Sequence, residues 1–232
     1  MADLDFYKKD MEKIQTQLLK KIEKVLGGLT VLDDAGLATA FKQINFVDEL
    51  NALGFPALLA KVKGSYDKNA IKTFALLKGK QRTRQVATAV QAIEILSILD
   101  LTTISAGVTR YANELKTAMF RGLLTGQSSA SIMQGLTETY GVGRALSSKQ
   151  QVALLNDSFA RFTRTTTAKL FEDVPEQKFE YVGPNDTQTR PTCEATLLMQ
   201  GEGMTIAEIE AKAPVSFADG GGFNCRHEWI PV

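Results

Sequence analysis

The sequence has few of the residues that carry most metal and redox chemistry. Its 232 residues include two cysteines, one histidine and one tryptophan. Two cysteines in a chain of this length do not make a disulfide framework, so a disulfide-rich secreted domain is excluded. These scarce residues all lie near the carboxyl end, as Cys193, Cys225, His227 and Trp229. We therefore look for specific chemistry in that part of the chain.

A strong net charge and long apolar runs are also absent. The formal net charge of +1 at pH 7 gives no overall electrostatic reason to bind nucleic acid or acidic lipid. The most apolar stretch, from Ala87 to Ile104, is interrupted by Glu94 and Asp100, so no membrane partner is predicted. The segment Met1 to Lys24 is charged throughout and lacks the apolar core of a signal peptide. We expect a soluble protein that is made in a cytoplasm.

The spacing of apolar residues predicts the fold class. Up to residue 175 these residues recur every three or four positions, as in amphipathic helices. The first predicted helix covers Leu4 to Leu26 and should end at Gly27-Gly28, and a second helical stretch follows around Asp33 to Leu53. After Pro175 the pattern changes to short alternating runs and turn residues. We predict a mainly α protein, with an elongated helical body of residues 1–175 that contains long amphipathic helices. A small, loop-rich α+β unit of residues 176–232 follows, which we call the C-terminal knob.

Two features of the helical body concern partners. Apolar residues between Leu101 and Ala118 alternate at spacings of three and four, which suits a helix lying along another helix. Pairing within the chain is the favoured interpretation, and a homo-oligomer formed through the long helices is the alternative. The run Lys80 to Arg84 is a small basic cluster that could contact DNA, although a solvated start of a helix is favoured.

The C-terminal knob contains a candidate metal site. Cys193, Cys225 and His227 are soft ligands, and a unit this small has little core of its own, so a metal or a disulfide could stabilise it. Cys225 and His227 are two positions apart and would share one face of a predicted strand from Arg226 to Ile230. Zinc would require a fourth ligand, for which the nearby candidates are Asp186, Asp219 and Glu228. Zinc, a Cys193–Cys225 disulfide and two packed thiols all remain open.

The other polar residues of the C-terminal knob suggest structure more than catalysis. Asp186 and Arg190 could grip a polar partner, but a carboxylate that satisfies turn amides and a guanidinium that pairs with it or with a carbonyl are favoured. Gly220-Gly221-Gly222 matches no phosphate-binding motif and is favoured as a turn. A cysteine with His227 could form a nucleophile–base pair, but no third orienting group is evident. We predict no catalytic residue and no enzyme.

These residues in their order resemble a known signature. The sequence Asp186-Thr187-Gln188-Thr189-Arg190, then Cys193, then Asn224-Cys225-Arg226 after a glycine turn, is similar to the C-terminal motif of phage minor head proteins. This head-morphogenesis family is related to the F protein of phage Mu and to gene product 7 of phage SPP1. The resemblance covers roughly residues 123–232, and rests on these motif residues: Asp186, Thr189, Arg190, Cys193, Asn224, Cys225 and Arg226.

The chain departs from that family pattern at two places. His227 stands where a second cysteine of the closing motif is expected, which keeps a metal site open, and Leu197 to Gly201 replaces a shorter turn. The resemblance implies a structural protein of a tailed-phage virion head, assembled in the host cytoplasm and without catalytic activity. The implied partners are the portal protein, the major capsid protein or both. Contact with packaged DNA is a further expectation.

Overall fold

The computed structural model describes the backbone of residues 5–75 and 82–232, and the side chains of residues 6–75 and 89–232. The helices are α1 (Asp5–Leu29), α2 (Asp34–Gln43), α3 (Phe46–Ala52), α4 (Phe55–Phe74), α5 (Arg82–Leu124), α6 (Ser129–Tyr140), α7 (Lys149–Leu170), α8 (Pro191–Met199) and α9 (Ile206–Lys212). The strands are β1 (Lys178–Val182), β2 (Met204–Thr205) and β3 (Glu228–Pro231). The prediction of a mainly α chain with a small α+β part at its carboxyl end is confirmed.

Two of the predicted helix boundaries are wrong. Gly27 and Gly28 do not end α1, which continues to Leu29. Leu26 and Leu29 are both buried, and their packing outweighs the low helix propensity of the two glycines. The single helix predicted from Asp33 to Leu53 is instead two helices, because the side chain of Asn45 accepts a hydrogen bond from the Val47 amide and starts α3.

The chain forms two compact units. One contains Leu4–Val62 and Leu101–Val152, and the other contains Lys63–Asp100 and Ala153–Val232. In the first unit, Val108, Tyr111 and Leu115 of α5 are buried, so these seam residues pack within the chain. Tyr111 donates a hydrogen bond to the carbonyl of Tyr140 at 3.0 Å. A homo-oligomer through the long helices stays a prediction, as does the division of the chain at residue 175.

Part of α5 is long and apolar enough to cross a membrane. This part is Ala89–Leu124, judged by length and composition alone, and 17% of its most apolar 18-residue window is buried. Core helices of soluble proteins can have the same length and composition. The basic cluster Lys80 to Arg84, which could contact DNA, lies outside the residues whose side chains are described.

Asp100 of α5 lies inside this apolar stretch and pairs with a tyrosine of α4. Tyr66 is fully buried and donates a hydrogen bond to Asp100 Oδ2 at 2.7 Å. Burial raises the pKa of Asp100, although the hydrogen bond from Tyr66 and the charge of Arg161 act in the opposite direction. Burial and the carboxylate together raise the pKa of Tyr66, so the phenol stays protonated.

We expect Asp100→Asn to stabilise the protein at neutral pH. A carboxyl with a raised folded-state pKa binds more protons when folded, so wild-type stability falls as pH rises from the unfolded pKa through the folded one. The asparagine can still accept the Tyr66 hydrogen bond but does not ionise. Urea unfolding at several pH values should therefore show an advantage for Asp100→Asn that grows with pH over this window. An advantage of the same size at every pH would contradict this linkage.

The C-terminal knob is built on a three-stranded antiparallel sheet. Its strand order is β2-β1-β3, with Phe179 opposite Met204 and Tyr181 opposite Trp229. Alternate residues of β1 are buried, so Phe179 and Tyr181 face inward. Phe179 packs edge-to-face against Phe217 at a ring-centroid distance of 4.9 Å. This inward face of the sheet carries Tyr181 to the candidate site.

Candidate metal centre

The structure brings the three predicted metal ligands together. Cys193 lies in the first turn of α8, while Cys225 and His227 lie in the segment that precedes β3. Their ligand atoms all lie within 4.8 Å of one another, and all three side chains are buried. The prediction that Cys225 and His227 share a strand is wrong, because both lie before β3. Burial still alternates along this segment, so the two side chains share one side.

The distances between these atoms suit a metal. Cys193 Sγ lies 3.9 Å from Cys225 Sγ, and Cys225 Sγ lies 3.9 Å from His227 Nδ1. Sulfur and nitrogen ligands of a tetrahedral zinc, at bond lengths of about 2.3 and 2.0 Å, are roughly 3.5–3.8 Å apart. The two cysteines are free, so the disulfide alternative is not formed here.

The electrostatics of the cluster also suit a metal. Burial lowers the pKa of His227, so the imidazole is neutral and able to act as a ligand. Burial raises the pKa of Cys193. Burial also opposes ionisation of Cys225, but hydrogen bonds from Tyr181 and from the amides of His227 and Gly221 outweigh it, so the Cys225 pKa is lowered.

No carboxylate completes the cluster, contrary to the sequence-based expectation. Among the described residues, the group that could hold a metal consists of Cys193, Cys225 and His227 alone. Asp186 instead forms an ion pair with Arg226, and Asp219 forms one with Arg161. A fourth ligand must therefore come from another kind of side chain or from solvent.

The remaining motif residues hold the chain around the cluster. Asp186 Oδ1 accepts a hydrogen bond from the Gln188 amide at 2.9 Å, and Asp186 Oδ2 accepts one from Arg226 at 2.8 Å. Thr189 Oγ1 donates to the carbonyl of Pro184 at 2.8 Å. Their hydrogen bonds stabilise the turn before α8 and join it to the segment that carries Cys225.

Arg190 and Asn224 belong to the same arrangement. Arg190 donates hydrogen bonds to the carbonyls of Gly221 and Phe223, the first at 2.8 Å. Asn224 adopts a left-handed backbone conformation with φ of 55°, and its backbone amide donates a hydrogen bond to Asp157 Oδ1 at 2.6 Å. These bonds connect the glycine turn both to α8 and to α7. Arg190 and Asn224 therefore have structural roles, because their hydrogen bonds hold the glycine turn in place.

Sequence reasoning missed two residues that contact the cluster or its loop. Tyr181 Oη lies 3.5 Å from Cys193 Sγ and 3.2 Å from Cys225 Sγ. Arg164 of α7 is almost completely buried, and its guanidinium donates to the carbonyls of Ala218, Asp219 and His227 at 2.8, 3.1 and 3.2 Å. The alternation of β1 could have indicated Tyr181 as an inward residue, whereas no local pattern indicates Arg164.

Known proteins offer no match to this chain. No protein-family model, no curated protein and no solved structure matches it.

The glycine turn has one position where a side chain does not fit. A Cβ atom added to Gly221 would overlap the sulfur of Cys193 and approach Cys225 Sγ to 3.4 Å. The Gly221 amide also donates to Cys225 Sγ at 3.2 Å. The backbone thus covers the sulfur pair directly, and glycine is required for this close approach.

We expect Gly221→Ala to destabilise the protein by about 1–3 kcal/mol, the usual cost of overpacking a buried site. The added methyl group must displace the Cys193 sulfur or the loop. Gly135→Ala in α6 is the matched control, because a Cβ there meets nothing within 4 Å. It should be neutral or stabilising by up to about 1 kcal/mol, since alanine is the better helix former. Equal unfolding midpoints of the two variants in urea would contradict this close packing.

Proposed function

We propose that this chain is a minor head protein of a tailed phage, a structural and assembly component without catalytic activity. The observation that carries the proposal is that the residues on which the family resemblance depends meet in one closed cluster. Asp186 and Arg226 pair, Arg190 binds the glycine turn, and Cys193 lies beside Cys225. Motif residues that contact one another in this way would stabilise the fold of the C-terminal knob.

The burial of the cluster supports a structural role over an enzymatic one. Cys193, Cys225 and His227 are each at most 5% exposed. A nucleophilic or hydrolytic site needs an opening through which a substrate reaches the reacting atom. With these three side chains buried, a thiol enzyme or metal-dependent enzyme in the C-terminal knob is the less well supported alternative.

We further propose that the metal is zinc. Two thiolates and one imidazole form a soft donor set. Such a set binds zinc in preference to calcium or magnesium, which take oxygen ligands. Bound zinc would hold α8 and the segment before β3 together through Cys193, Cys225 and His227. A unit with a small core gains folding stability from such a link.

The proposed location is the head of the virion, at the portal or at the inner capsid surface. The family resemblance supports this location, because it implies the portal protein, the major capsid protein or both as partners. Contact with packaged DNA is the weaker part of this proposal, because it depends on the basic cluster of Lys80 to Arg84.

The test is to measure the chain in particles. Procapsids and DNA-filled heads from a phage that encodes this chain would be separated on density gradients, and its copy number relative to portal and major capsid protein measured by quantitative mass spectrometry. We expect a few copies per particle that resist nuclease and a high-salt wash. Release by nuclease would favour the DNA contact, and absence from both kinds of particle would overturn the assignment.

A further inference from the structure

We infer that the phenol of Tyr181 is the fourth ligand of the metal site. This inference rests on the zinc site of the proposed function and names the residue that completes it. Tyr181 Oη lies 3.5 Å from one sulfur and 3.2 Å from the other. Oxygen and sulfur ligands of a tetrahedral zinc, at bond lengths of about 2.0 and 2.3 Å, are roughly 3.5 Å apart. The phenol oxygen thus lies at a ligand–ligand distance from both sulfurs.

The surroundings of Tyr181 hold its ring in this place. The ring stacks on His227, with centroids 4.9 Å apart and an interplanar angle of 12°. On the opposite strand Trp229 packs against it at a centroid distance of 4.6 Å. Tyr181 is 1% exposed. The phenol is therefore fixed beside the two sulfurs by packing on β1 and β3.

The closed surface of the site argues against a solvent ligand. Structural zinc sites are four-coordinate, with all four ligands from the protein. The Gly221 backbone covers the two sulfurs so closely that even a methyl group there would overlap Cys193. Because no carboxylate joins the three ligands among the described residues, Tyr181 is the side chain in position to take the fourth place.

The charge of the site gives an independent argument. Zinc with two thiolates, one neutral imidazole and one phenolate carries a net charge of about −1, whereas a water in place of the phenolate would leave the site neutral. Arg164 is 1% exposed, and in the described part of the chain its guanidinium bonds only to carbonyls. A Cβ on Gly220 would lie 3.1 Å from Arg164 Nη1 and 3.3 Å from Cys225 Sγ, so this cation is adjacent to the site. Buried charges are usually paired, and a site with three anionic ligands supplies the partner.

The binding step involves proton release and no redox change. Zinc enters as Zn²⁺, the two thiols and the phenol each lose one proton to solvent, and the imidazole coordinates as the neutral base. The phenolate that results has its own ultraviolet difference spectrum, which the neutral phenol lacks. This signal distinguishes a phenolate ligand from a phenol that only donates a hydrogen bond to a thiolate.

The experiment uses the full-length, reduced and chelator-treated protein, titrated with zinc chloride. Four measurements are made: bound zinc by native mass spectrometry, affinity by competition with a chelator, the phenolate difference spectrum, and protons released per zinc. In the wild-type protein we expect one zinc, the phenolate signal and more protons released than two thiols can supply. In Tyr181→Phe we expect the phenolate signal to disappear and zinc affinity to fall about 10–100-fold or more, beyond the usual cost of losing an outer-shell partner.

Tyr66→Phe is the matched control, because Tyr66 is also buried and bonds to Asp100 instead of the cluster. It should keep both the affinity and the phenolate signal. Zinc binding by the wild-type protein without a phenolate signal would overturn the role of Tyr181 and leave the zinc site intact. No zinc binding by the wild-type protein would overturn the zinc site itself. The wild-type spectrum decides the question even where Tyr181→Phe fails to fold.

Discussion

Replacement of Cys225, a proposed zinc ligand, by serine should abolish zinc binding and the stability that zinc would provide. We expect native mass spectrometry to find one zinc per wild-type chain and none in Cys225→Ser. A ligand that binds only the folded state at 1,000 times its Kd stabilises that state by about 4 kcal/mol. Wild-type protein should gain about this much under such conditions, and the variant should gain almost nothing.

The same measurement on chelated protein separates the contribution of zinc to stability from the contribution of side-chain packing. After chelation, wild type and Cys225→Ser should have similar unfolding midpoints, because what the variant loses is mainly the metal. Leu198→Ser is the control, since this residue lies on α8 and is 80% exposed. It should retain both zinc and the wild-type midpoint. A Cys225→Ser protein that zinc stabilises as much as the wild type would contradict the site.

Replacement of Arg164 by methionine destabilises the C-terminal knob by about 3 kcal/mol or more. The guanidinium donates to three backbone carbonyls, and hydrogen bonds from charged donors contribute roughly 1.5–3 kcal/mol each, with losses that are not additive. Methionine preserves much of the buried volume but leaves those carbonyls unpaired. Arg164→Lys should also be destabilised, because an ammonium cannot reproduce the fork of a guanidinium.

Arg161 supplies the matched control on the same helix. Its side chain is 58% exposed and pairs with Asp219 at 2.5 Å. Exposed ion pairs contribute about 0–1 kcal/mol, so Arg161→Met should change stability little. The measurement is urea unfolding followed by fluorescence of Trp229, which is the single tryptophan of the chain and is buried in the C-terminal knob. Equal losses in the two arginine variants would show that the buried carbonyl contacts contribute no more than the surface pair.

Local sequence patterns predict the caps well and the helix ends less well. Thr205 and Glu208 form both hydrogen bonds of a capping box, a pattern that their spacing of three residues indicates, and Ser128 is a favourable residue type for the cap of α6 that it forms. These features depend on residues three positions apart, which a sequence shows directly. The glycines after Leu26 were misleading, because the end of α1 is decided by which leucines are buried, and burial depends on distant parts of the chain.

The candidate site shows the same difference between local and distant information. Cys193, Cys225 and His227 could be chosen from the sequence because soft ligands are scarce and clustered near one end. The proposed fourth ligand could not, since the preference for a carboxylate ignored Tyr181, which β1 places beside the sulfurs of α8 and of the segment before β3. Arg164 is the hardest residue to predict, because its partners lie more than fifty positions away and are backbone carbonyls, which carry no sequence signal.

The way the chain passes between its two units limits how it can be cut into fragments. Within the described residues it passes from one unit to the other after Val62, Asp100 and Val152, and each of these positions lies inside a helix. A fragment that starts at residue 176 would lack Asp157, Arg161 and Arg164, all of which bind the glycine turn or its flanks. Such a fragment would have the proposed metal ligands without the buried guanidinium. Limited proteolysis should accordingly yield no stable peptide that consists of the C-terminal knob alone.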